Sequence, residues 1–429
     1  MATPTISVSG LEAPDRIHQR LDELLVLYQQ QSSSLSGGCI EFDSLSWQGD
    51  EELHHRVIQL LAHRTFSTCV LKNGQSLRIS DWTSITDELV FQQVQLPDAR
   101  TNPLHFSPQL KSLSLLSISF SEAQVLNLAH HLRSAAGGHC CQLQRLDLTD
   151  SRFVGNGVEF LAAGLRDNQS LRIICLSDCH LMDEQLAAVV RSLIPQKSSA
   201  LRELDICFNK CRTQGVQALT ELVRSSSTLG CLRLGYQAYG QGKSIDIDPL
   251  LQVLTTNTNL VLQELELSGN SLRDPAMPSI VNLLQRSHTL KTLDLSDNRF
   301  TNQGIDMLAS RMNEYQRLQK LLMEDNRFDH VALDRLAHGM QRNFALLELE
   351  ISVDKNEAKG SLDKLSYYLD LNWGGRKLLH DETENLKMGL LPLLMARVND
   401  EQARQKIDSR NIQREDILYY FLRNCYALV

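Results

Sequence analysis

A glycine-rich segment near the middle of the chain is the first place where the residues suggest chemistry. Residues Gly235 to Ser244 read GYQAYGQGKS. A phosphate-binding loop follows G-x-x-x-x-G-K-[ST], in which backbone N–H groups surround the phosphates and the lysine contacts them. Gly242, Lys243 and Ser244 fit this pattern. Gln237 stands where the first glycine is needed, so we favour a flexible insertion over a nucleotide site.

A group of histidines and cysteines has side chains of the types that bind zinc. Its members are His130, His131, His139, Cys140 and Cys141. Structural zinc sites usually combine two closely spaced ligand pairs, such as C-x₂-C followed by a second C-x₂-C. That framework does not occur here. A solvated loop with ordinary thiols is therefore the favoured interpretation, and we expect neither a metal nor a cofactor.

The composition of the chain and the absence of three common motifs argue against two classes of function. The chain has 429 residues and a formal net charge of −8. This mildly acidic balance argues against a nucleic-acid binder, which normally has a basic face. The motifs G-x-S-x-G, H-E-x-x-H and G-x-G-x-x-G do not occur. Nothing positive supports catalysis, and we expect a protein that is not an enzyme.

The cysteines and the apolar segments of the chain indicate the cellular compartment of the protein. The ten cysteines are scattered and do not form the dense framework of a small secreted scaffold. Residues Met1 to Gly10 lack the basic and apolar regions of a signal peptide. The longest apolar runs, such as Leu390 to Ala396, are too short to span a bilayer. We expect an intracellular protein, cytoplasmic or nuclear, with reduced thiols and no membrane span.

Much of the chain consists of a repeated sequence pattern, which would position any binding residues. Four segments align without gaps at a constant spacing of 28 residues, beginning at Leu262, Leu290, Leu318 and Leu346. The first three follow L-x-x-L-x-L-x-x-N-x-L, and the fourth has Asp354 in place of the asparagine. Five further copies begin upstream at Leu110, Leu143, Leu171, Leu201 and Leu229. Nine copies at a nearly fixed period are a strong signal of a repeat architecture.

Each position of the pattern has a physical role, counting the first leucine as position 1. The leucines at positions 1, 4 and 6 fill the core, and positions 4 and 6 alternate inward on a short strand. The asparagine at position 9 bends the chain out of the strand, and its amide satisfies backbone groups in the turn. These asparagines are Asn209, Asn270, Asn298 and Asn326. Ser151 and Cys179 occupy the same position in two other copies.

The second half of each repeat has a helical pattern. In the copy that begins at Leu290, a small residue, Gly304, is followed by Leu308 and Met312. Spacing of four residues places these side chains on one helical face. The same arrangement recurs in the other copies, so each repeat is expected to contain one strand and one inward-facing helix.

A strand-plus-helix unit of this length resembles the leucine-rich repeats of the ribonuclease-inhibitor-like class. The resemblance implies an α/β fold, namely a leucine-rich-repeat solenoid or horseshoe. Its strands would form a concave parallel sheet, and its helices would lie on the convex face. Caps are expected at both ends, because a solenoid otherwise exposes its core there. The resemblance also implies that the protein acts by binding another macromolecule on the concave face.

The outward-facing strand positions form the candidate binding surface. Positions 3 and 5 point away from the core, and in the C-terminal half many are acidic: Glu203, Asp205, Glu264, Glu266, Asp294, Glu348 and Glu350. Arg233 and Lys320 interrupt this stripe. Phe208 and Tyr236 beside it are candidate aromatic anchors. We expect the stripe to bind a basic protein segment; the alternative is that these polar residues only keep the strands solvated.

Four regions follow from the patterns. Residues 1–38 form an N-terminal helix and a Ser/Gly linker, 39–109 an N-terminal cap of degenerate repeats, 110–358 the leucine-rich repeats and 359–429 a helical C-terminal cap. The N-terminal helix has one apolar face formed by Ile17, Leu21, Leu24 and Tyr28. We expect this face to fold against the first edge of the solenoid rather than to dock on a partner, because an exposed apolar stripe is a liability.

The C-terminal region has a recognisable order of elements. Leu371, Asn372, Gly375 and Arg376 form an L-N-x-x-G-R element, followed by LLPLLMARVND at residues 390–400 and EDILYYFLRN at 415–424. This order resembles the C-terminal segment of leucine-rich-repeat proteins from diatoms and related algae, although Trp373 takes a position where a polar residue is expected. Those proteins are largely uncharacterised, so the resemblance implies lineage and architecture rather than an activity.

The first functional hypothesis is a non-enzymatic scaffold that binds a protein partner through the concave acidic face. One alternative is a small-GTPase regulator resembling the Ran GTPase-activating proteins, which share this repeat type. Those proteins typically end in an acidic tail, whereas residues 404–414 of this chain are rich in basic residues. A stable subunit of a large assembly is another alternative. The identity of the partner and the oligomeric state are left open by the sequence.

Overall fold

The structure is a computed structural model. It describes residues 5–9, 12, 14–30, 38–45, 50–61, 66–74, 79–133, 142–166, 168–194, 200–237 and 244–376. The chain divides into two compact units, Met1–Arg233 and Leu234–Val429.

The described part of the first unit contains a nine-stranded parallel sheet. Its strands, in spatial order, are β1 (Thr5–Ser9), β2 (Gly38–Asp43), β3 (Phe66–Lys72), β5 (Glu88–Gln92), β7 (Ser112–Leu116), β9 (Arg145–Asp147), β11 (Ile173–Cys175), β12 (Glu203–Asp205) and β13 (Cys231–Arg233). Two short pairs accompany the sheet, β4 (Asp81–Trp82) with β6 (His105–Phe106) and β8 (Ser119–Phe120) with β10 (Arg152–Phe153). The helices are α1 (Pro14–Gln30), α2 (Glu51–Leu61), α3 (Glu122–Leu132), α4 (Gly157–Arg166), α5 (Asp183–Ser192) and α6 (Thr213–Ser225).

The second unit continues the same alternation of strand and helix. Its strands pair in parallel in the order β14 (Glu264–Glu266), β15 (Thr292–Asp294), β16 (Lys320–Leu322) and β17 (Glu348–Glu350). Its helices are α7 (Asp248–Thr256), α8 (Met277–Arg286), α9 (Asn302–Ala309), α10 (His330–Met340) and α11 (Lys355–Trp373). Two 3₁₀ turns lie at Asp274–Ala276 and Met312–Glu314. The predicted α/β leucine-rich-repeat architecture is thus confirmed in each unit.

The core of the repeats is built from the predicted leucine positions. Leu265, Leu293 and Leu321 occupy the middle of β14, β15 and β16, and they lie directly opposite one another in register. All three are fully buried. Burying a leucine side chain stabilises the fold by about 1.5–3 kcal/mol. The middle residue of each three-residue strand therefore anchors its strand, while the two flanking residues face away from the core.

The asparagine at position 9 has the predicted structural role. Asn298 is buried, and its Nδ2 donates to the carbonyls of Leu267, Leu295 and Ser296 at 3.0–3.1 Å. Its Oδ1 accepts hydrogen bonds from backbone N–H groups of the preceding repeat. One side chain thus satisfies the turn of its own repeat and ties it to its neighbour.

Ser151 and Cys179 take over part of this role in the first unit. The Ser151 hydroxyl donates to the carbonyl of Leu115 at 2.8 Å and accepts from the N–H of Ile118 at 3.0 Å. The Cys179 thiol donates to the carbonyl of Leu148 at 3.0 Å. Both residues are buried, as the position requires.

The N-terminal region differs from the prediction in two details. β1 pairs with β2 over five residues, and the sequence analysis did not anticipate this strand. Helix α1 packs against α2 and β1, as expected for a helix folded onto the first unit. Its buried face consists of Ile17, Leu21 and Leu25, whereas the predicted Leu24 is half-buried. The Tyr28 side chain and the linker at 31–37 lie outside the described residues.

The L-N-x-x-G-R element closes the described end of the second unit. Asn372 donates to the carbonyls of Asn343 and Leu346 at 3.1 and 2.8 Å. The buried guanidinium of Arg376 donates to Asn372 Oδ1 at 2.9 Å and to the carbonyl of Met340 at 2.9 Å. Gly375 between them has φ +95°, a conformation that favours glycine. We infer that this element caps the last repeat; the motifs at 390–400 and 415–424 lie outside the described residues.

Candidate protein-binding surface

The outward-facing residues of β14–β17 bring five carboxylates into two rows. Position 3 contributes Glu264, Thr292, Lys320 and Glu348, and position 5 contributes Glu266, Asp294, Leu322 and Glu350, in register from strand to strand. We call these eight residues the acidic face. Neighbouring strands lie about 4.8 Å apart, so carboxylates in adjacent repeats are close enough to act on one ligand.

Further acidic residues extend this surface where the strands end. Asp297, Glu324 and Asp325 are exposed. Asp297 and Asp325 both adopt a left-handed backbone with φ of 53° and 51°. Aspartate tolerates this conformation better than most residues. The turn at position 8 thereby adds carboxylates next to the rows at positions 3 and 5.

Tyr236 has an unusual placement for an aromatic residue. Its φ is +56°, a strained conformation for a bulky side chain. Its hydroxyl donates a hydrogen bond to Asp297, and its ring lies over Gly269, where a Cβ would come within 2.3 Å of the ring. Burial and the nearby carboxylate of Asp297 raise the pKa of the phenol well above its usual range. The ring is therefore held in place beside the acidic face, with its proton retained.

Lys320 is bound by two members of the acidic face. Its Nζ lies 3.2 Å from Glu348 Oε2 and 3.0 Å from Glu350 Oε1. Hydrogen bonds with Glu350 and then Glu348 raise the pKa of this lysine. The predicted interruption of the stripe is thus a local ion-pair cluster at β16 and β17.

The remaining predicted residues belong to the first unit. Glu203 on β12 forms an ion pair with Arg233 on β13. Asp205 accepts a hydrogen bond from the N–H of Cys207 at 3.0 Å. Phe208 follows in the left-handed region, with φ +55° and 41% of its surface exposed. The left-handed conformation recurs at position 8 of other repeats, so the exposed ring of Phe208 belongs to the turn that ends its strand.

Charges on the rest of the first sheet are more evenly balanced. Arg145 pairs with Asp147 at 3.0 Å, and Lys72 pairs with Glu41 at 2.7 Å. Sequence reasoning missed Glu41 and Lys72 because the repeats before residue 110 depart from the leucine pattern. The period-2 alternation of Gly38–Asp43, with Ile40 and Phe42 apolar and Glu41 and Asp43 polar, was the signal that could have identified Glu41.

The glycine-rich segment is described only in part. Gln237 is buried, its N–H donates to Asn270 Oδ1 at 2.9 Å and its Nε2 donates to the carbonyl of Gly235 at 3.0 Å. This side chain therefore has a structural role in the turn. Residues 238–243, which include Gly242 and Lys243, lie outside the described residues.

The histidine and cysteine group is also described in part. His131 Nε2 lies 2.9 Å from the carbonyl of Leu104, and its ring contacts Phe106 edge to face at 5.1 Å. Burial lowers the pKa of this imidazole. His139, Cys140 and Cys141 lie outside the described residues. Within the described ranges, the side chains do not form a group of three or more potential metal ligands.

Two cysteines lie near the candidate residues of the first unit. Cys175 and Cys207 are both buried. Burial raises the pKa of the Cys175 thiol to about 12. Because the thiolate is the reactive form, Cys175 is a poorly reactive thiol and acts as a small packing group.

Comparison with known proteins agrees with the repeat geometry. A family profile described as "Leucine Rich repeat" matches residues 286–309. This match agrees with the α/β leucine-rich-repeat fold of the chain. The chain is 33% identical over 161 residues to NACHT, LRR and PYD domains-containing protein 12 of Mus musculus, a match that covers 35% of this chain and 15% of that protein. It is 30% identical over 188 residues to NACHT, LRR and PYD domains-containing protein 5 of Homo sapiens, covering 43% and 15%.

The matched regions are small parts of those relatives, since the chain spans about 15% of their length. Among solved structures, an internalin from Listeria monocytogenes is similar over 68% of this chain and 83% of that chain, with 18% identity and a TM-score of 0.40. In the described part of this protein, the helices are all too short or too polar to cross a membrane.

Proposed function

We propose that this protein is a non-enzymatic scaffold that binds a protein partner carrying a basic segment, and that the acidic face of the second unit is the main contact. The observation that carries the proposal is the charge of that face. Among the outward positions of β14–β17, five side chains are acidic and one, Lys320, is basic. Leucine-rich-repeat proteins generally mediate protein–protein interactions, which supports binding rather than catalysis.

The physical role of such a surface is steering and selection. A surface with an excess of one charge attracts a partner of opposite charge and suppresses wrong partners. Asp297, Glu324 and Asp325 enlarge the acidic region at the strand ends, and the fixed ring of Tyr236 offers an aromatic contact at its border. Tyrosine is enriched among the residues that dominate binding energy at interfaces.

The first unit contributes a second proposed contact. Asp205 and Phe208 present a carboxylate and an exposed aromatic ring, and the ion pair of Glu203 with Arg233 lies beside Asp205 on the same two strands. We propose that these four residues add to the interface. An intracellular site of action is part of the same proposal, and imaging of the tagged chain in its native cell tests it.

Affinity purification from the native cell tests the proposed function. The tagged wild type is compared with a variant carrying Glu264→Lys, Glu266→Lys and Asp294→Lys, at low and at high salt. A matched control reverses three exposed acids on helices of the same unit, Asp248, Glu357 and Asp363. A partner lost in the first variant and at high salt, but kept in the control, is the expected result. A partner kept in the first variant would move the site elsewhere and favour a permanent assembly subunit.

A further inference from the structure

One end of the acidic face holds an ammonium group of the chain itself. Lys320 on β16 lies opposite Glu348 in the register of β16 and β17. Its Nζ contacts Glu348 Oε2 at 3.2 Å and Glu350 Oε1 at 3.0 Å. The two carboxylates come from one strand and are two residues apart, so they form a fork that closes on a single ammonium.

The same fork occurs twice in the sequence of the second unit. β14 and β17 both consist of the tripeptide Glu-Leu-Glu, at positions 3–5 of their repeats. The arrangement at β17 shows that a fork of this kind accepts a primary ammonium. A lysine ammonium is a compact charge with three rotatable donors, which suits two separate carboxylates.

The ion pairs of Lys320 are exposed enough for another ammonium group to take its place. The exposed fractions of the side chains are 34% for Lys320, 27% for Glu348 and 46% for Glu350. Ion pairs at this degree of exposure contribute little to stability, because water and salt screen them. Another ammonium group can replace Lys320 at little cost to the fold.

We infer that Lys320 is an autoinhibitory occupant of the acidic face, and that lysine side chains of the bound segment displace it from the fork of Glu348 and Glu350. This inference rests on the proposed function and specifies the partner's chemistry as lysine-rich. Lys320 weakens the binding of any such segment, because its own charge neutralises the fork. Removing that charge removes a competitor of the partner's lysines for these two carboxylates.

The test uses the full chain and a fluorescently labelled ten-residue oligolysine peptide at low ionic strength, with anisotropy as the readout. Lys320→Met is expected to lower the Kd by about two- to five-fold, the effect of one exposed ion pair. The triple variant Lys320→Met, Glu348→Gln, Glu350→Gln is expected to lose this gain. Lys291→Met is the matched control, because Lys291 is an exposed lysine just before β15 and is expected to leave the Kd unchanged.

The outcomes separate the inference from the proposed function. If Lys291→Met lowers the Kd as much as Lys320→Met does, the effect comes from net charge. If the triple variant still has the lowered Kd, the effect comes from removal of simple repulsion by Lys320. Either result overturns the inference. Wild-type binding that Lys320→Met leaves unchanged or weakens also overturns it, while the acidic face stands. Failure of wild type and Lys320→Met alike to bind the peptide would contradict the proposed function itself.

Discussion

Replacement of Asn298 by alanine is a sharp test of the repeat architecture. The side chain of Asn298 donates to three backbone carbonyls and accepts from the N–H groups of Asn270 and Leu272 at 3.2 and 2.9 Å. These groups belong to two neighbouring repeats. Asn298→Ala removes every one of these bonds, because alanine has no side-chain donor or acceptor.

The expected cost follows from the two N–H groups that lose their acceptor. A buried polar group left without a partner costs about 1–3 kcal/mol, so two such groups give about 2–6 kcal/mol. Domains are typically stable by only about 5–15 kcal/mol. We therefore expect Asn298→Ala to remove a large fraction of the free energy of unfolding of the second unit.

Urea unfolding followed by circular dichroism measures this cost. The control is Asn313→Ala, because Asn313 is an exposed asparagine in the same unit, and surface substitutions usually change stability by less than about 0.5 kcal/mol. A loss below about 1 kcal/mol for Asn298→Ala, or a loss equal to that of the control, would refute the argument that position 9 ties the repeats together.

Two other predictions concern the first unit. Asp183 accepts from the N–H groups of Arg212, Gln214 and Gly215 at 2.7–3.0 Å, so Asp183→Ala should destabilise the start of α6 by about 2 kcal/mol in urea unfolding; a change no larger than that of Glu184→Ala would contradict this. Because the pKa of His131 is lowered from 6.5, the unfolded chain binds a proton below about pH 6.5 that the folded chain does not. The free energy of unfolding should fall as pH drops through this range, and His131→Gln should flatten that part of the profile; an unchanged slope would show that other groups cause it.

Much of the fold could be predicted from the sequence because its driving forces are local and periodic. The leucines at positions 4 and 6 alternate on each strand, and the helical positions follow a spacing of four, so each repeat specifies its own elements. The asparagine at position 9 could be predicted with its hydrogen bonds, because the turn has few other ways to satisfy its backbone groups. This reasoning fails where the pattern is weak, as at β1.

The outward-facing positions of the strands could be predicted from the sequence, but the ion pairs between them could not. That Glu264, Glu266 and Asp294 face outward follows from strand alternation. That Lys320 turns toward β17 depends on competing side-chain positions on two neighbouring strands, which a single sequence does not specify. The bond from the Tyr236 hydroxyl to Asp297 requires the absence of a side chain at Gly269, a condition that becomes visible only when the strands are in register.

The proposed function requires the acidic face of the second unit to bind a basic partner. The most direct measurement is the Kd of the purified partner for wild type and for the Glu264→Lys, Glu266→Lys, Asp294→Lys variant, across a series of salt concentrations. We expect salt to weaken wild-type binding and the variant to bind at least about tenfold more weakly at low salt. Equal affinities that do not depend on salt would contradict the proposed function.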